Sequence, residues 1–307
     1  MSRENIRPCV LALGFFDGIH IGHAALMRRT KERSAELGIE SAVITFGTHP
    51  DMLVHGIPVQ LINSAAAREQ ILRKKFGIDR VIVLPFTEET RRIPWQEFAE
   101  MLRREYGAVH FVIGEDFRFG WRGEGCADRL SRYCAENGFG CDVIPPVRLD
   151  DVVVSSSHIR DLLLEGRIEE ANRFLGHPHI LTGEVGRGRH LGSRIGVPTV
   201  NLRFPEGVLQ LPRGVYATRV LLPDGIWRQS VTNVGVHPTV CEEENLVVES
   251  CILDYDGNLY GCFLVVEFYS FLRPERRFDS VEELRTQIFH DEKTVRDYFG
   301  ENPLPMH

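Results

Sequence analysis

The stretch GFFDGIHIGH, residues 14–23, places His20 and His23 three residues apart in a glycine-rich segment behind a short apolar run. A glycine-rich turn exposes backbone N–H groups, and a following helix adds the positive end of its dipole, so an anion is favoured there. Two imidazoles beside it can donate hydrogen bonds to phosphate oxygens. That suits in-line attack on a nucleotide α-phosphate, where stabilising developing charge is the main task. A lone histidine could be a helix cap or a satisfied surface group; the pair with its glycines reads as nucleotide binding. Other stretches carry groups of the same kind: TFGTHP at 45–50, GEDFRFG at 114–120 and SSSHIR at 155–160. A further glycine-rich run, GRHLGSRIGVPTVNL at 188–202, ends in Thr199 and Asn201; alone it reads equally as a turn. Glu249, in VVESCILDY, shares a strand face with Val247 and Cys251. A carboxylate among apolar neighbours is costly unless it has a partner or a task.

Composition narrows the classes. The net charge of -7 gives no global basic field, which argues against a nucleic-acid partner. No apolar run approaches a membrane span, and the N-terminal apolar run, broken by Asp17, reads as a strand rather than a signal peptide. The seven cysteines contain no C-x-x-C pair, so reduced thiols and a cytoplasmic location are expected. Lysine occurs only at 31, 74, 75 and 293, and no Walker-type G-x-x-x-x-G-K-[ST] loop is present. Nucleotide handling here cannot rest on a Walker lysine.

The elements that must position these residues fall into two halves. Up to about residue 150, apolar runs alternate with helical segments: CVLALGFF, SAVITF, RVIVLPF, VHFVIG and CDVIPPV against helices at 23–38, 64–76, 94–106 and 127–137. Gly38, Gly77 and Gly107 mark helix stops. Five strands alternating with helices predict an α/β fold with a doubly wound parallel sheet. Ligands then bind beyond the carboxyl ends of the strands, where four of the polar stretches fall. From about 180 the runs are strand-like and turn-separated, and a closing helix follows Ser280 with Glu283 three residues on. This predicts a small antiparallel β-barrel with a terminal helix. Asp256-Gly257 is read as a hairpin with Gly257 at positive φ. The domains are expected at 1–176 and 177–307.

GFFDGIHIGH resembles the G-x-F-D-G-x-H-x-G-H motif of the HxGH nucleotidyltransferase superfamily. With GEDFRFG, SSSHIR, GVPTVN and LDYDGNLYG, in that order along almost the whole chain, it resembles the bacterial bifunctional riboflavin kinase/FAD synthetases. The resemblance implies that the C-terminal half phosphorylates riboflavin to FMN with ATP. It implies that the N-terminal half, the FMN adenylyltransferase, converts FMN to FAD and releases pyrophosphate. Carried over by motif, His20 and His23 bind ATP phosphates and stabilise the transition state. Gly14, Phe15, Phe16, Asp17 and Gly22 belong to the same nucleotide loop, and Asp116 lies beside the phosphates. Ser156 and Ser157 match a serine–threonine pair on nucleotide phosphate, with Arg160 nearby as a charged fork. The serines also read as a plain helix cap. Phe119 is expected to stack on the flavin, although Phe117 and Phe119 alternate as in a strand, so one of the two belongs to the core.

For the kinase half, the resemblance assigns Gly192 to the ATP loop, Thr199 and Asn201 to nucleotide and Mg²⁺, and Glu249 as general base for the riboflavin 5′-hydroxyl. It gives Arg273 a contact with flavin or phosphate; a surface arginine is the alternative. Departures are specific: Val153 stands where many relatives carry Lys or Arg, Phe15 where many carry Asn, Thr48 for a proline, Val200 for Ala, and Ser250-Cys251 for Thr-His. Val153 opens one alternative, a riboflavin kinase whose adenylyltransferase half is weak or inactive. Riboflavin, FMN and ATP are the expected partners, with no nucleic acid or membrane, and the chain as a monomer or transient oligomer.

Overall fold

The computed structural model describes residues 6–47, 56, 58–186, 198–236 and 246–302. The chain divides into two compact units: residues up to Leu61 with Ala65–Ser156, and Ile62–Ser64 with Ser157 onward.

In the first unit, strand β1 (Cys9–Leu13) is buried at all five residues. It is the centre of a parallel sheet ordered β3-β2-β1-β4-β5, with β2 (Glu40–Phe46), β3 (Arg80–Leu84), β4 (Ala108–Gly114) and β5 (Gly140–Ile144). An uninterrupted apolar strand such as CVLAL is stable only where helices cover both faces. Those helices are α1 (Ile21–Leu37), α2 (Ala65–Gln70), α3 (Trp95–Tyr106) and α4 (Ala127–Glu136). Gly38 and Gly107 close α1 and α3 in the left-handed region, at φ 65° and 76°, so those stops were legible in the sequence. The segment read as one helix over 64–76 instead changes after Gln70 to a π-helical turn, Ile71–Lys75. The chain leaves β1 towards β2 and β3 on one side and returns to β4 and β5 on the other. The topological switch point therefore lies between β1 and β4, where ligands bind in open α/β sheets. A hairpin of β6 (Arg148–Leu149) and β7 (Val152–Val153), not anticipated, turns through Asp150 and Asp151 at φ 49° and 61°. Helix α5 (Ser156–Leu164) follows, then α6 (Ile168–Leu175).

The second unit holds a six-stranded antiparallel sheet ordered β8-β13-β10-β11-β12-β9. Its strands are β8 (His179–Glu184), β9 (Val200–Arg203), β10 (Gly214–Leu221), β11 (Trp227–Val236), β12 (Leu246–Ile252) and β13 (Phe263–Arg273). A bridge from Gly186 to Asn201 brings the β8 end to β9 and nearly closes a barrel. Helix α7 (Val281–Glu301) starts where Ser280 accepts the amide of Glu283. It packs Val295 and Phe299 onto Val215, Ala217, Val231, Cys251 and Tyr269.

One expectation fails here. β12 and β13 are not neighbours, so Asp256-Gly257 is no hairpin. The positive φ values of that link belong to Asp254 and Gly261, at 56° and 73°, not to Gly257. The dipeptide signal is local, whereas β13 is claimed by β10 and β8 through registers seven and six residues long.

Candidate functional site

The loop after β1 is built under strain. Phe16 and Ile19 hold φ 56° and 44° with Gly18 at 79°, and both non-glycine side chains are buried. Left-handed backbone costs an L-residue about 1 kcal/mol or more, and persists where packing over-determines it. The outcome is a sharp approach to α1, with His20 as its N-cap: His20 Nδ1 accepts the His23 amide at 3.2 Å. That bond places the His20 ring proton on Nε2. The His20 and His23 rings stack, centroids 3.6 Å apart and planes 15° apart. Phe16 meets the His23 ring edge-on at 5.1 Å. Burial and the neighbouring His20 hold His23 well below the usual histidine range, so it is neutral at pH 7. Its Nδ1 is buried without a hydrogen-bond partner among the described residues. Two glycines make the geometry possible. A Cβ on Gly14 would lie 2.6 Å from the Phe16 ring, and one on Gly22 would lie 3.0 Å from His20.

Behind the loop lies Arg68 of α2, fully buried. It donates to the Phe15 carbonyl (2.9 Å), to Thr45 Oγ1 (2.9 Å) and to the Phe46 carbonyl (3.0 Å). Thr45 itself donates to the Phe15 carbonyl at 2.6 Å. One guanidinium thus fastens the ends of β1 and β2 together. No sequence pattern marks it, because an arginine in a helix reads as a solvated charge until its burial is seen.

These elements enclose a cavity of about 390 Å³ at the switch point. Gly14, Phe15, Phe16, Asp17, His20, Gly22 and His23 line it from the first loop. Asp116, Phe117 and Arg118 line it from the segment after β4, and Ser155 and Ser156 from the start of α5. Ser156 Oγ donates to the Asp17 carbonyl at 2.9 Å, tying α5 to the glycine loop. Ser157 and Arg160 are not among the lining residues; they lie one and four positions along α5 and belong to the second unit. Of TFGTHP, Thr45–Gly47 are described and residues 48–50 lie outside the described residues.

Phe119 requires a correction. It is 7% exposed and sits in the hydrophobic core with Phe98 and Leu130. Phe117, stacked parallel to it at 6.1 Å, lines the cavity. The aromatic available to a flat ligand is Phe117. The reason is the Phe119–Gly125 bridge, which draws residue 119 inward.

In the second unit the barrel register aligns five residues across five strands: Arg273, Val215, Asn233, Glu249 and Asn201. Directly paired residues share a face. Glu249 therefore stands between two asparagines, half-buried, with buried Val247 and Cys251 on either side along its own strand. Asn233 Nδ2 donates to Glu275 Oε1 at 3.1 Å. Asn201 Oδ1 is buried without a hydrogen-bond partner among the described residues. Thr199, half-buried, precedes β9 by one residue. Gly192 lies outside the described residues. Arg273 is not a free cation: its Nε and Nη2 donate to the buried Asp291 of α7, at 3.0 and 2.6 Å. Sequence reasoning missed Asn233, Glu275 and Asp291. Only the barrel register brings Asn233 beside Glu249.

Comparisons with known proteins agree with this division. A family model described as FAD synthetase matches residues 2–158, and one described as riboflavin kinase matches residues 175–299. The chain is 35% identical over 300 residues to the bifunctional riboflavin kinase/FMN adenylyltransferase of Pseudomonas fluorescens, covering 95% of each protein. It is 32% identical over 292 residues to that of Listeria monocytogenes, covering 95% of this chain and 92% of the relative. The Escherichia coli K12 protein of the same name is 33% identical over 307 residues, covering 98% and 96%. A solved structure titled as a macrolide-efflux protein from Streptococcus pneumoniae superposes with a TM-score of 0.82 at 28% identity, covering 96% of each chain. The efflux label is that protein's; among the described residues here, no helix is long and apolar enough to cross a membrane. With both family models matched in order and relatives at 32% to 35% identity over nearly its whole length, the chain belongs to the bifunctional riboflavin kinase/FMN adenylyltransferase family.

Proposed function

We propose that this chain phosphorylates riboflavin to FMN at the barrel and adenylylates FMN to FAD at the parallel sheet, with ATP as co-substrate of both steps. The observation that carries the reading is the coexistence of two distinct geometries. A stacked histidine pair caps a glycine loop at a switch point, and a glutamate stands between two asparagines on a separate barrel. The division of labour is proposed as residues 1–176 for adenylyl transfer and 177–307 for phosphorylation, a reading that the family matches at 2–158 and 175–299 support.

At the parallel sheet, an FMN phosphate oxygen attacks the α-phosphorus of ATP in line, and the α–β bridging bond breaks to release pyrophosphate. His20, its proton on Nε2, and neutral His23 donate hydrogen bonds to phosphate oxygens as charge builds. The amides at the start of α1 add their dipole; the first turn of α1 holds no acidic residue to cancel it. Gly14, Phe15, Phe16, Asp17 and Gly22 shape the loop, with Phe16 acting as a prop beneath His23 rather than as a ligand. Ser156, which lines the cavity, and Ser157, Arg160 and Asp116 are assigned to phosphate by motif. Phe117 takes the flavin ring.

At the barrel, Glu249 accepts the proton of the riboflavin 5′-hydroxyl, whose oxygen then attacks the γ-phosphorus of ATP and displaces ADP. Thr199 and Asn201 are proposed to hold Mg²⁺, and the unpartnered, buried Asn201 Oδ1 fits a hard cation. Bound Mg²⁺ neutralises charge on the phosphate oxygens. Arg273, held by Asp291, orders the strand end and α7 beside the flavin rather than supplying a free charge. We further propose that the protein acts in the cytoplasm on small molecules, without nucleic acid or membrane, as a monomer or transient oligomer. The net charge of -7 supports the absence of a nucleic-acid partner.

A second reading, a kinase with weak adenylyl transfer, is favoured by Val153, which lines the cavity with no charge. Product analysis separates the two. Incubation with riboflavin, ATP and Mg²⁺ yields FMN and then FAD on the main reading, and FMN alone on the second. Neither product would overturn both.

A further inference from the structure

The adenylyl-transfer cavity must hold a phosphate monoester next to a triphosphate, yet its described lining residues are poor in positive charge. Asp17 and Asp116 are acids, His23 is neutral, and Val153 carries nothing. Among the described lining residues, Arg118 is the only arginine or lysine. It is exposed, and it makes no hydrogen bond, ion pair or ring contact with any described residue. The nearest comparison is Arg68, whose guanidinium is committed to three protein oxygens.

The backbone that carries Arg118 is fixed. Phe117 N donates to the Gly114 carbonyl at 3.1 Å, and Phe119 and Gly125 exchange backbone hydrogen bonds of 3.2 and 2.9 Å. Phe119 is anchored in the core, and Phe117 stacks on it. A guanidinium with no partner among the described residues therefore sits in the anchored loop after β4, beside Phe117, which lines the cavity. The histidine pair and the start of α1 lie on a different segment, with the donors for the triphosphate. A guanidinium fork matches a phosphate monoester in shape and charge.

We propose that Arg118 binds the 5′-phosphate of FMN and is the specificity-determining residue by which the adenylyl-transfer site takes the phosphorylated flavin in preference to riboflavin. This rests on the reading of the cavity as the adenylyl-transfer site. A site built around a charged group discriminates against the analogue that lacks it, because the protein partner is then left unpaired. The two substrates of the chain differ by that one phosphate.

The test uses the full chain and follows FAD formation from FMN and ATP, for wild type, Arg118→Ala and Arg118→Lys. 5′-Deoxyriboflavin serves as inhibitor, because it lacks both the phosphate and the hydroxyl that the kinase half would phosphorylate. Arg118→Ala raises KM for FMN by about tenfold or more. KM for ATP, the 5′-deoxyriboflavin inhibition constant and riboflavin phosphorylation stay within about twofold of wild type. Arg118→Lys restores part of the loss. An unchanged KM for FMN overturns the proposal, as does a rise confined to KM for ATP. A parallel weakening of 5′-deoxyriboflavin also overturns it, since that marks a merely structural role. If wild type makes no FAD from FMN, the reading of the cavity itself fails and the proposal falls with it.

Discussion

His20 and His23 lie face to face at the start of α1, ring centroids 3.6 Å apart, with the His20 Nδ1 accepting the His23 amide. Two rings that close cannot both be cationic, so the role proposed for the pair rests on directed N–H groups rather than on net charge. Its geometry also leaves no slack. Gly22→Ala brings a methyl 3.0 Å from the His20 ring and must turn it. The expected outcome is a fall of about tenfold in the rate of FAD formation, the cost of displacing one oriented donor by a fraction of an ångström. Riboflavin phosphorylation by the same preparation stays at the wild-type rate.

Arg68 is expected to matter for position without touching substrate. Arg68→Met removes the guanidinium donor to the Phe46 carbonyl and one of two donors to the Phe15 carbonyl, which keeps Thr45 Oγ1; a buried group left unpaired costs about 1–3 kcal/mol. Adenylyl transfer should fall steeply while kinase activity persists. Arg68→Lys should recover little, because an ammonium cannot reproduce the planar fork that reaches both strand ends. Recovery to wild-type rates with Lys would show that charge alone suffices.

The barrel carries a pH dependence of known sign. His179 is fully buried in β8, with neither ring nitrogen hydrogen-bonded among the described residues. Burial, with a smaller contribution from His177, pushes it down to about 3 from 6.5. The unfolded chain binds a proton that the folded chain refuses. Stability from this group is therefore complete above about pH 6.5 and is lost as pH falls from there towards 3, at about 1.4 kcal/mol per pH unit. Urea midpoints for unfolding of the second unit at pH 7 and pH 5 should differ markedly in wild type and less in His179→Leu. Equal slopes in both would remove His179 as the cause.

Much of this was legible in the sequence, and the omissions share a cause. Strands β1 to β5 and the glycine stops at 38 and 107 follow from local pattern, and so does the order of the motif loops. Local pattern cannot see pairing. Asp256-Gly257 looked like a hairpin because the dipeptide is a turn former, but β13 pairs with β10 and β8. Strand β9 is four residues long behind a glycine-rich run, too short to declare itself. Alternation said that one of Phe117 and Phe119 is core without saying which; the bridge to Gly125 decides it. Arg68, Asn233 and Asp291 are ordinary polar residues in sequence and acquire meaning only from what the fold places beside them.

Metal dependence should follow Asn201. Its buried, unpartnered Oδ1 is the group best suited to a hard cation in the Glu249 row. Asn201→Ala is expected to raise the Mg²⁺ concentration for half-maximal riboflavin phosphorylation by about tenfold, in the range of one lost ligand or its orienting partner. The Mg²⁺ dependence of adenylyl transfer should not move. A parallel shift in both activities would mean that Asn201 acts through folding.

The central claim is that one chain carries two independent reactions, one at the histidine pair and one at Glu249. The most direct measurement is a chromatographic time course with riboflavin, ATP and Mg²⁺ for wild type, His23→Ala and Glu249→Ala. Wild type should make FMN and then FAD. His23→Ala should stop at FMN. Glu249→Ala should lose riboflavin phosphorylation by about 10²–10⁴-fold yet convert added FMN to FAD at the wild-type rate. If either substitution abolishes both reactions, or Glu249→Ala phosphorylates riboflavin normally, the two-site account is wrong.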